Sequence, residues 1–207
     1  DVTGGMNPYI SEVRKQIDYL SSNLLDMIDI DISLIGVGDH CDGDLMLQVR
    51  PYTNNKDQIS RNINSIANVS GGDMPEAYEC LFRELNTWNH EYPTSLVMII
   101  DSVPHQNGYK QKKNSSILKD PFEDSEETIM TMDSYKFNHD DGCPLRVDYR
   151  AELDKLKKSI NGLYVVNCGK IPHVKELQKT FVDHPKYFME LNDIKRLPDL
   201  MIGMCMS

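Results

Sequence analysis

The sequence lacks several features that would place it in a specialised class of protein. No apolar run approaches the roughly 18 residues that a membrane-spanning helix needs, so we expect no membrane insertion. Basic charge is scarce: the 32 acidic residues outnumber the 22 lysines and arginines, which gives a net charge of −10. Nucleic-acid binding needs a basic surface and is therefore not expected. With 40% hydrophobic and 26% charged residues, the composition is that of an ordinary globular domain.

The five cysteines lack the spacing of a disulfide or zinc framework. They are scattered, odd in number and without a C-x-x-C pair, which favours a reducing, intracellular and cytoplasmic compartment. Cys143 lies near His139 and several acids, which suggests zinc, but no second ligand pair with zinc spacing accompanies it. Zinc is therefore not predicted.

The chain also lacks an initiator methionine and a signal peptide, and its first residue already belongs to its strongest motif. We therefore expect a piece of a longer polypeptide or assembly, with a strand of that polypeptide leading into Asp1. The length fits one domain over residues 1–207, interrupted by an irregular insertion at about 106–142 that has little apolar periodicity.

Apolar periodicity predicts helices that alternate with strands. The predicted helices cover Pro8 to Ile28, Lys56 to Ile66, Ala77 to Trp88, Leu153 to Ile160, Val174 to Phe181 and Leu197 to Met204. The predicted strands cover Ile30 to Val37, Leu45 to Tyr52, Ser95 to Ile100, Leu163 to Cys168 and Tyr187 to Leu191, and the first two form a hairpin. This order predicts an α/β fold with a doubly wound, mainly parallel sheet and helices on both faces.

Three separate turns place oxygen ligands where an open α/β sheet binds its ligands, at the carboxyl ends of strands. Asp1 and Thr3 lie in the turn before the first helix, Asp73 follows Gly71-Gly72, and Asp101 ends a buried strand. Each turn alone is more typical of a helix cap or a loop. Together they offer the carboxylate and hydroxyl oxygens that Mg²⁺ prefers, which predicts a divalent-cation site.

Four segments in the same order resemble von Willebrand factor A domains. Asp1 to Met6 (DVTGGM) resembles the D-x-[ST]-x-S metal-ion-dependent adhesion site (MIDAS) motif, in the D-x-T-G-S-M version of intracellular members, including those attached to α-kinases. Gly71 to Ala77 (GGDMPEA) resembles their G-G-D-x-P-E-A loop, and Ile100 to His105 (IDSVPH) their T-D-A-P-P-H turn. Leu191 to Gly203 resembles their closing strand and helix. The likeness spans nearly the whole chain apart from the insertion.

The resemblance implies that Asp1, Thr3, Asp73 and Asp101 hold one divalent cation. Mg²⁺ is the first expectation, with Ca²⁺ or Mn²⁺ as alternatives. One position departs from the family pattern, because Gly5 stands where the motif has its last serine. That hydroxyl ligand is lost, and a water molecule must replace it.

Five further residues are expected at the rim of this site. Asp39 and His40 lie at the end of a predicted strand, and we expect them to form hydrogen bonds around the site rather than bind the metal. Gly72 and Ser102 adjoin the acidic turns. His105 follows the third turn and is expected to be a structural histidine rather than a ligand or a switch.

The resemblance implies a binding module rather than an enzyme. The open coordination position of the metal would accept a carboxylate from a partner protein, and the insertion would supply specificity. Two alternatives remain. The DVTGG segment faintly resembles the phosphorylated D-K-T-G-T loop of haloacid-dehalogenase-type enzymes, with Asp1 as nucleophile, but their second acid and basic phosphate-binding residue are missing. The chain could also be a structural subunit whose metal site is vestigial because of Gly5.

Overall fold

Helices and strands alternate along the chain in the computed structural model, which describes residues 1–72, 74–105 and 142–190. The helices are α1 (Asn7–Met27), α2 (Lys56–Ser65), α3 (Tyr78–Leu85), α4 (Tyr149–Ser159) and α5 (Pro172–Lys179). The strands are β1 (Ile32–Val37), β2 (Leu47–Thr53), β3 (Ser95–Ile100), β4 (Gly162–Asn167) and β5 (Phe188–Glu190). Asp73, nearly all of the expected insertion and the predicted helix Leu197 to Met204 lie outside the described residues.

The described strands form two sheets. β1 and β2 pair antiparallel, with Ile35 opposite Val49, which confirms the predicted hairpin. β3, β4 and β5 form a parallel sheet in that order, with Met98 opposite Val165. The fold is therefore α/β with a three-stranded parallel sheet. The prediction of one continuous sheet differs from this arrangement, because no hydrogen-bonded strand among the described residues joins β1 to β3.

The first two residues lie between the two sheets. The amino group of Asp1 donates to the carbonyl oxygen of Ile99 at 3.1 Å. The backbone N–H of Val2 donates to the carbonyl oxygen of Val37 at 2.9 Å. Asp1 and Val2 are thus held between the carboxyl ends of β1 and β3, where the sequence predicts that an incoming strand ends.

Apolar side chains cover both faces of the parallel sheet, because successive residues of a strand point to opposite faces. On one face, Met98 and Val165 pack in a cluster with Phe82 of α3, Leu156 of α4 and Val174 of α5. The cluster on the other face contains Val2, Met6, Ile10, Ile66, Val166 and Cys168. None of the helices within residues 1–72, 74–105 and 142–190 has the length and apolar character needed to cross a membrane.

The ends of two helices differ from the prediction. The sequence suggests Asn7 as the N-cap of α1, with Pro8 in the first turn. In the structure the 3₁₀ turn Gly4–Met6 leads directly into the helix and makes Asn7 its first residue. Pro8 lies in the first turn as predicted, where its missing N–H costs nothing. Helix α3 ends at Leu85, short of Trp88, whose indole N–H donates to the Glu84 carboxylate at 3.0 Å. These differences do not move the acidic turns away from the strand ends.

Candidate functional site

Backbone hydrogen bonds tie together the loops that follow the strands. The N–H of Glu76 donates to the carbonyl oxygen of Val103 at 2.8 Å, which joins the loop before α3 to the loop after β3. The N–H of Ala77 donates to the carbonyl oxygen of Gly38 at 3.0 Å, which adds the loop after β1. These loops therefore meet at one edge of the molecule, together with the turn that begins at Asp1.

Asp1 and Thr3 form a compact hydrogen-bonded turn at this edge. The Oδ1 atom of Asp1 accepts from the Thr3 backbone N–H at 2.9 Å and from the Thr3 hydroxyl at 2.8 Å. The Oδ2 atom accepts from the hydroxyl of the fully buried Tyr78. The carbonyl oxygen of Val2 accepts from the N–H of Val69 at 3.0 Å, which places the loop after α2 beside this turn. Tyr78, not anticipated from sequence, thus fixes the Asp1 carboxylate.

The carboxylate of Asp101 lies against the backbone of Gly5. A Cβ atom added at Gly5 would overlap the Oδ2 atom of Asp101, and one added at Gly169 would come within 2.7 Å of the Asp101 carbonyl oxygen. Burial raises the pKa of Asp101. The neighbouring Ser102 is buried, and its hydroxyl donates to the carbonyl oxygen of Met74. The Asp101 carboxylate thus occupies the space that a serine at position 5 would need.

Glu76 is a further acid at this edge. It belongs to the GGDMPEA segment but is not among the residues that the sequence predicts for the site. It is only 4% exposed, and its Oε2 atom has no hydrogen-bond partner within the described residues. Burial raises the pKa of Glu76 to about 9; Asp39 and Asp101 reinforce this effect, and a hydrogen bond with Thr3 opposes it. An unpaired buried carboxyl oxygen beside other acids is costly, and a cation would relieve that cost.

Asp39 and Gly72 lie in close contact at the rim. A Cβ atom added at Gly72 would come within 2.7 Å of Asp39 Oδ2 and 2.8 Å of Cys41 Sγ, so glycine permits the approach. The Oδ1 atom of the buried Asp39 accepts from the backbone N–H of His40 at 2.5 Å and caps the 3₁₀ turn His40–Leu45. The Asp39 carboxylate thus caps the turn that follows β1.

The described carboxylates at this edge do not form a compact cluster of ligand atoms. Within the described residues, Asp1 and Asp101 do not belong to a group of three or more histidine, cysteine or acidic ligand atoms that lie within 4.8 Å of one another. Asp73, the ligand expected from the second loop, is outside the described residues. The donor types present at this edge fit a hard divalent cation, with Thr3 and Glu76 already in contact.

A second group of ligand-type side chains is buried beside the rim and consists of His40, Glu79, Cys80 and Cys143. Their ligand atoms all lie within 4.8 Å of one another, and the group could hold a metal ion. His40 Nε2 is 2.7 Å from Glu79 Oε1, and the Sγ atoms of Cys80 and Cys143 are 3.9 Å apart. This group is not evident from the sequence because its members come from three distant parts of the chain.

His105 lies between the rim and this second group. Its Nε2 atom is 3.3 Å from Asp39 Oδ1, and its Nδ1 atom is 3.5 Å from Glu79 Oε1. The His105 backbone N–H also donates to Glu79 Oε2 at 3.1 Å. The ring centroids of His105 and His40 are 4.9 Å apart. His105 is therefore a buried contact between the two carboxylates.

Hydrogen bonds within the second group favour the charged forms of three of its side chains. Burial raises the pKa of Glu79, but hydrogen bonds from His105 and His40 outweigh it and lower the pKa to about 2. Burial lowers the pKa of His40, but bonds to Cys143 and Glu79 outweigh it and raise the pKa to about 9. The hydrogen bond from Cys80 lowers the pKa of Cys143 to about 5 despite burial, and raises that of Cys80. At neutral pH Cys143 is therefore a thiolate, Glu79 a carboxylate and His40 an imidazolium.

No protein-family model and no curated protein matches the sequence. Solved structures do match: a crystal structure of the pilus adhesin SpaC from Lactobacillus rhamnosus GG, in an open conformation, has a TM-score of 0.66 and 10% sequence identity. The chain shares its fold with part of this adhesin. A second crystal structure of SpaC has a TM-score of 0.67, also at 10% identity. Both matches cover 100% of this chain but only 28% and 29% of the adhesin chains, so the likeness concerns the fold alone.

Proposed function

We propose that the chain is a von Willebrand factor A-type domain that recognises a partner protein through a divalent cation at the edge where its loops meet. Asp1, Thr3, Asp73 and Asp101 would hold the cation, as the resemblance implies, and Mg²⁺ is the first candidate. The observation that carries this proposal is the buried Oε2 atom of Glu76, which has no hydrogen-bond partner within the described residues and lies near Asp39 and Asp101.

The charge balance of the edge supports a cation. Glu76, Asp39 and Asp101 interact electrostatically, and Asp39 and Glu76 are each only 4% exposed. Without a metal, the repulsion is relieved by a proton on Glu76. A divalent cation relieves it more fully and lets the carboxylates remain ionised. Mg²⁺ retains several waters and uses few protein carboxylates, which leaves a position for an outside ligand.

The metal would act by accepting a carboxylate of the partner. Such a bond is charge-assisted, and it is strengthened where the surrounding groups are buried, as Asp39 and Glu76 are. Gly5 contributes no hydroxyl there, so a water molecule would take the coordination position that a serine would otherwise fill. The likeness of the fold to part of an adhesin supports a role in recognising another protein.

We also propose that the strands of the chain form one doubly wound sheet. A strand that ends at Asp1 would lie between β1 and β3, since Asp1 and Val2 already bond to Ile99 and Val37. The strand order would then be β2-β1-incoming strand-β3-β4-β5. The helices on both faces of β3 and β4 support this arrangement.

Phosphoryl transfer is less well supported. A nucleophilic Asp1 needs an accessible carboxylate oxygen, whereas its two oxygens accept hydrogen bonds from Thr3 and Tyr78. Incubation with an aryl phosphate and Mg²⁺ distinguishes the two functions. Turnover that disappears in Asp1→Asn would overturn the binding-module proposal.

The direct test combines metal binding with a carboxylate probe. Calorimetry with Mg²⁺, Mn²⁺ and Ca²⁺ should give one site in the wild type, lost in Asp101→Ala and retained in Asp154→Asn, which removes an exposed acid of α4. Water-proton relaxation of the Mn²⁺-loaded protein should then fall when glutarate replaces a coordinated water. Absence of binding for all three metals would favour a structural subunit, and relaxation unchanged by glutarate would contradict the open position.

A further inference from the structure

We propose that His40, Glu79, Cys80 and Cys143 form a zinc site, separate from the cation site at the loop edge. The four side chains offer two sulphurs, one imidazole nitrogen and one carboxylate oxygen, all of which are zinc ligands. Mg²⁺ does not favour sulphur, so the two sites would select different metals. This proposal does not depend on the proposed function.

The sulphur geometry is close to that of a bound zinc ion. The Sγ atoms of Cys80 and Cys143 lie 3.9 Å apart. Two thiolates bound to one tetrahedral zinc at about 2.3 Å would lie about 3.8 Å apart. A disulfide would require the sulphurs to approach to about 2.05 Å. The present separation therefore matches the one that zinc requires, whereas a disulfide would require the sulphurs to move about 2 Å closer.

The remaining two ligands already contact each other. His40 Nε2 lies 2.7 Å from Glu79 Oε1, and Glu79 Oε1 lies 4.0 Å from Cys80 Sγ. The other Glu79 oxygen accepts the backbone N–H of His105 at 3.1 Å. Hydrogen bonds of this kind orient a metal ligand, and here they leave Oε1 directed at the group.

Three of the four side chains are buried and that of His40 is 13% exposed, which fits a structural site. Glu79, Cys80 and Cys143 are 0%, 1% and 7% exposed, and the two cysteines pack with Ala77 and Val147. Four protein ligands complete a tetrahedral shell, whereas a catalytic zinc keeps an open position. Zinc binding requires both cysteines as thiolates and His40 as a neutral imidazole, so the ion would displace their protons to solvent.

Zinc at this position would join separate parts of the fold. Glu79 and Cys80 belong to the first turn of α3, His40 begins the 3₁₀ turn after β1, and Cys143 precedes α4. The cation would thus fix the start of α4 and the loop after β1 against α3. Because the unfolded chain cannot assemble these ligands, zinc binding would stabilise the folded domain.

The test uses the complete chain, purified under reducing conditions, stripped of metal and then titrated with Zn²⁺ or Co²⁺. We expect one ion per chain by native mass spectrometry. With Co²⁺ we expect thiolate charge-transfer bands together with the visible spectrum of a tetrahedral ion. Cys80→Ser and Cys143→Ser should each lose the site, whereas Cys168→Ser should bind like the wild type, because this buried cysteine belongs to the opposite cluster.

Three outcomes would overturn the proposal. The first is zinc stoichiometry that is the same in both serine variants as in the wild type. The second is a cobalt spectrum without thiolate bands. The third is a Cys80–Cys143 disulfide in the isolated protein that yields two thiols on reduction but still takes up no zinc. Circular dichroism of each variant shows whether it is folded, and His40→Ala provides a further ligand variant outside the helix core.

Discussion

The Sγ atoms of Cys80 and Cys143 lie 3.9 Å apart although 63 residues separate them along the chain. Helix α3 carries the first cysteine, and the second precedes α4, so the packing of these two helices creates the pair. Glu79 and His40 complete the group. A group that could hold a metal ion therefore lies beside the edge of oxygen ligands.

Removal of zinc should lower the thermal stability of the domain. We expect the high-affinity zinc chelator TPEN to cost the wild type at least about 2 kcal/mol, or about 4–8 °C for a domain of this size. Differential scanning fluorimetry measures the change. Cys168→Ser should respond like the wild type, and folded Cys143→Ser should be insensitive. Equal melting temperatures with and without chelator in a zinc-loaded wild type would contradict a structural role.

Loss of the Asp101 charge should weaken the binding of Mg²⁺. Asp101→Asn removes a carboxylate from the edge while keeping the side chain's shape, and we expect at least about a tenfold higher dissociation constant, or about 1.4 kcal/mol. Calorimetry measures it beside Asp154→Asn, which changes the net charge equally but lies on α4. An equal loss in both variants would point to a general charge effect instead of a ligand.

Restoring a hydroxyl at position 5 should have opposite effects on the metal-free and metal-bound states. In Gly5→Ser the new Cβ atom would overlap Asp101 Oδ2, so the carboxylate must move and the metal-free protein should melt at a lower temperature. With Mg²⁺, the serine hydroxyl should replace a water and tighten binding by a few-fold. Melting temperatures with and without Mg²⁺ check both. Destabilisation in both states, without tighter binding, would argue against a ligand position there.

Glu76→Gln should stabilise the metal-free protein. The substitution removes the acid whose pKa is raised to about 9 by burial and by neighbouring carboxylates, and we expect a gain of about 1 kcal/mol at neutral pH. The extra stability that Mg²⁺ gives should shrink in the variant, because less negative charge remains to be neutralised. Urea unfolding with and without Mg²⁺ measures both quantities. A destabilised variant with undiminished Mg²⁺ stabilisation would show that Glu76 does not interact with the ion.

Patterns within short stretches of the sequence predicted strand β3 and the hairpin of β1 and β2. Strand β3 spans the predicted residues Ser95–Ile100, because a continuous apolar run between Pro93 and Asp101 can only be a short buried element. The hairpin of β1 and β2 also follows from local signals. The prediction of Asn7 as the N-cap of α1 was wrong, because a 3₁₀ turn precedes the helix and its last residue, Met6, packs in the cluster on one face of the sheet.

The sites show the same division between local and long-range information. Asp101 could be predicted because it follows a strand, and the loop that approaches Asp39 could be predicted from its adjacent glycines. No pattern within the sequence could reveal that Tyr78 bonds to Asp1, or that Cys80 meets Cys143, because these contacts exist only after the helices have packed. A helical cysteine alone resembles an ordinary core residue.

The central claim is that oxygen ligands from distant loops hold one exchangeable divalent cation. Anomalous diffraction from crystals grown with Mn²⁺, recorded just above the manganese edge, tests it most directly. We predict one strong peak in contact with the Thr3 hydroxyl and the carboxylates of Asp73 and Asp101, with a further position filled by water or a carboxylate. Saturating Mn²⁺ with no peak between these side chains would contradict it.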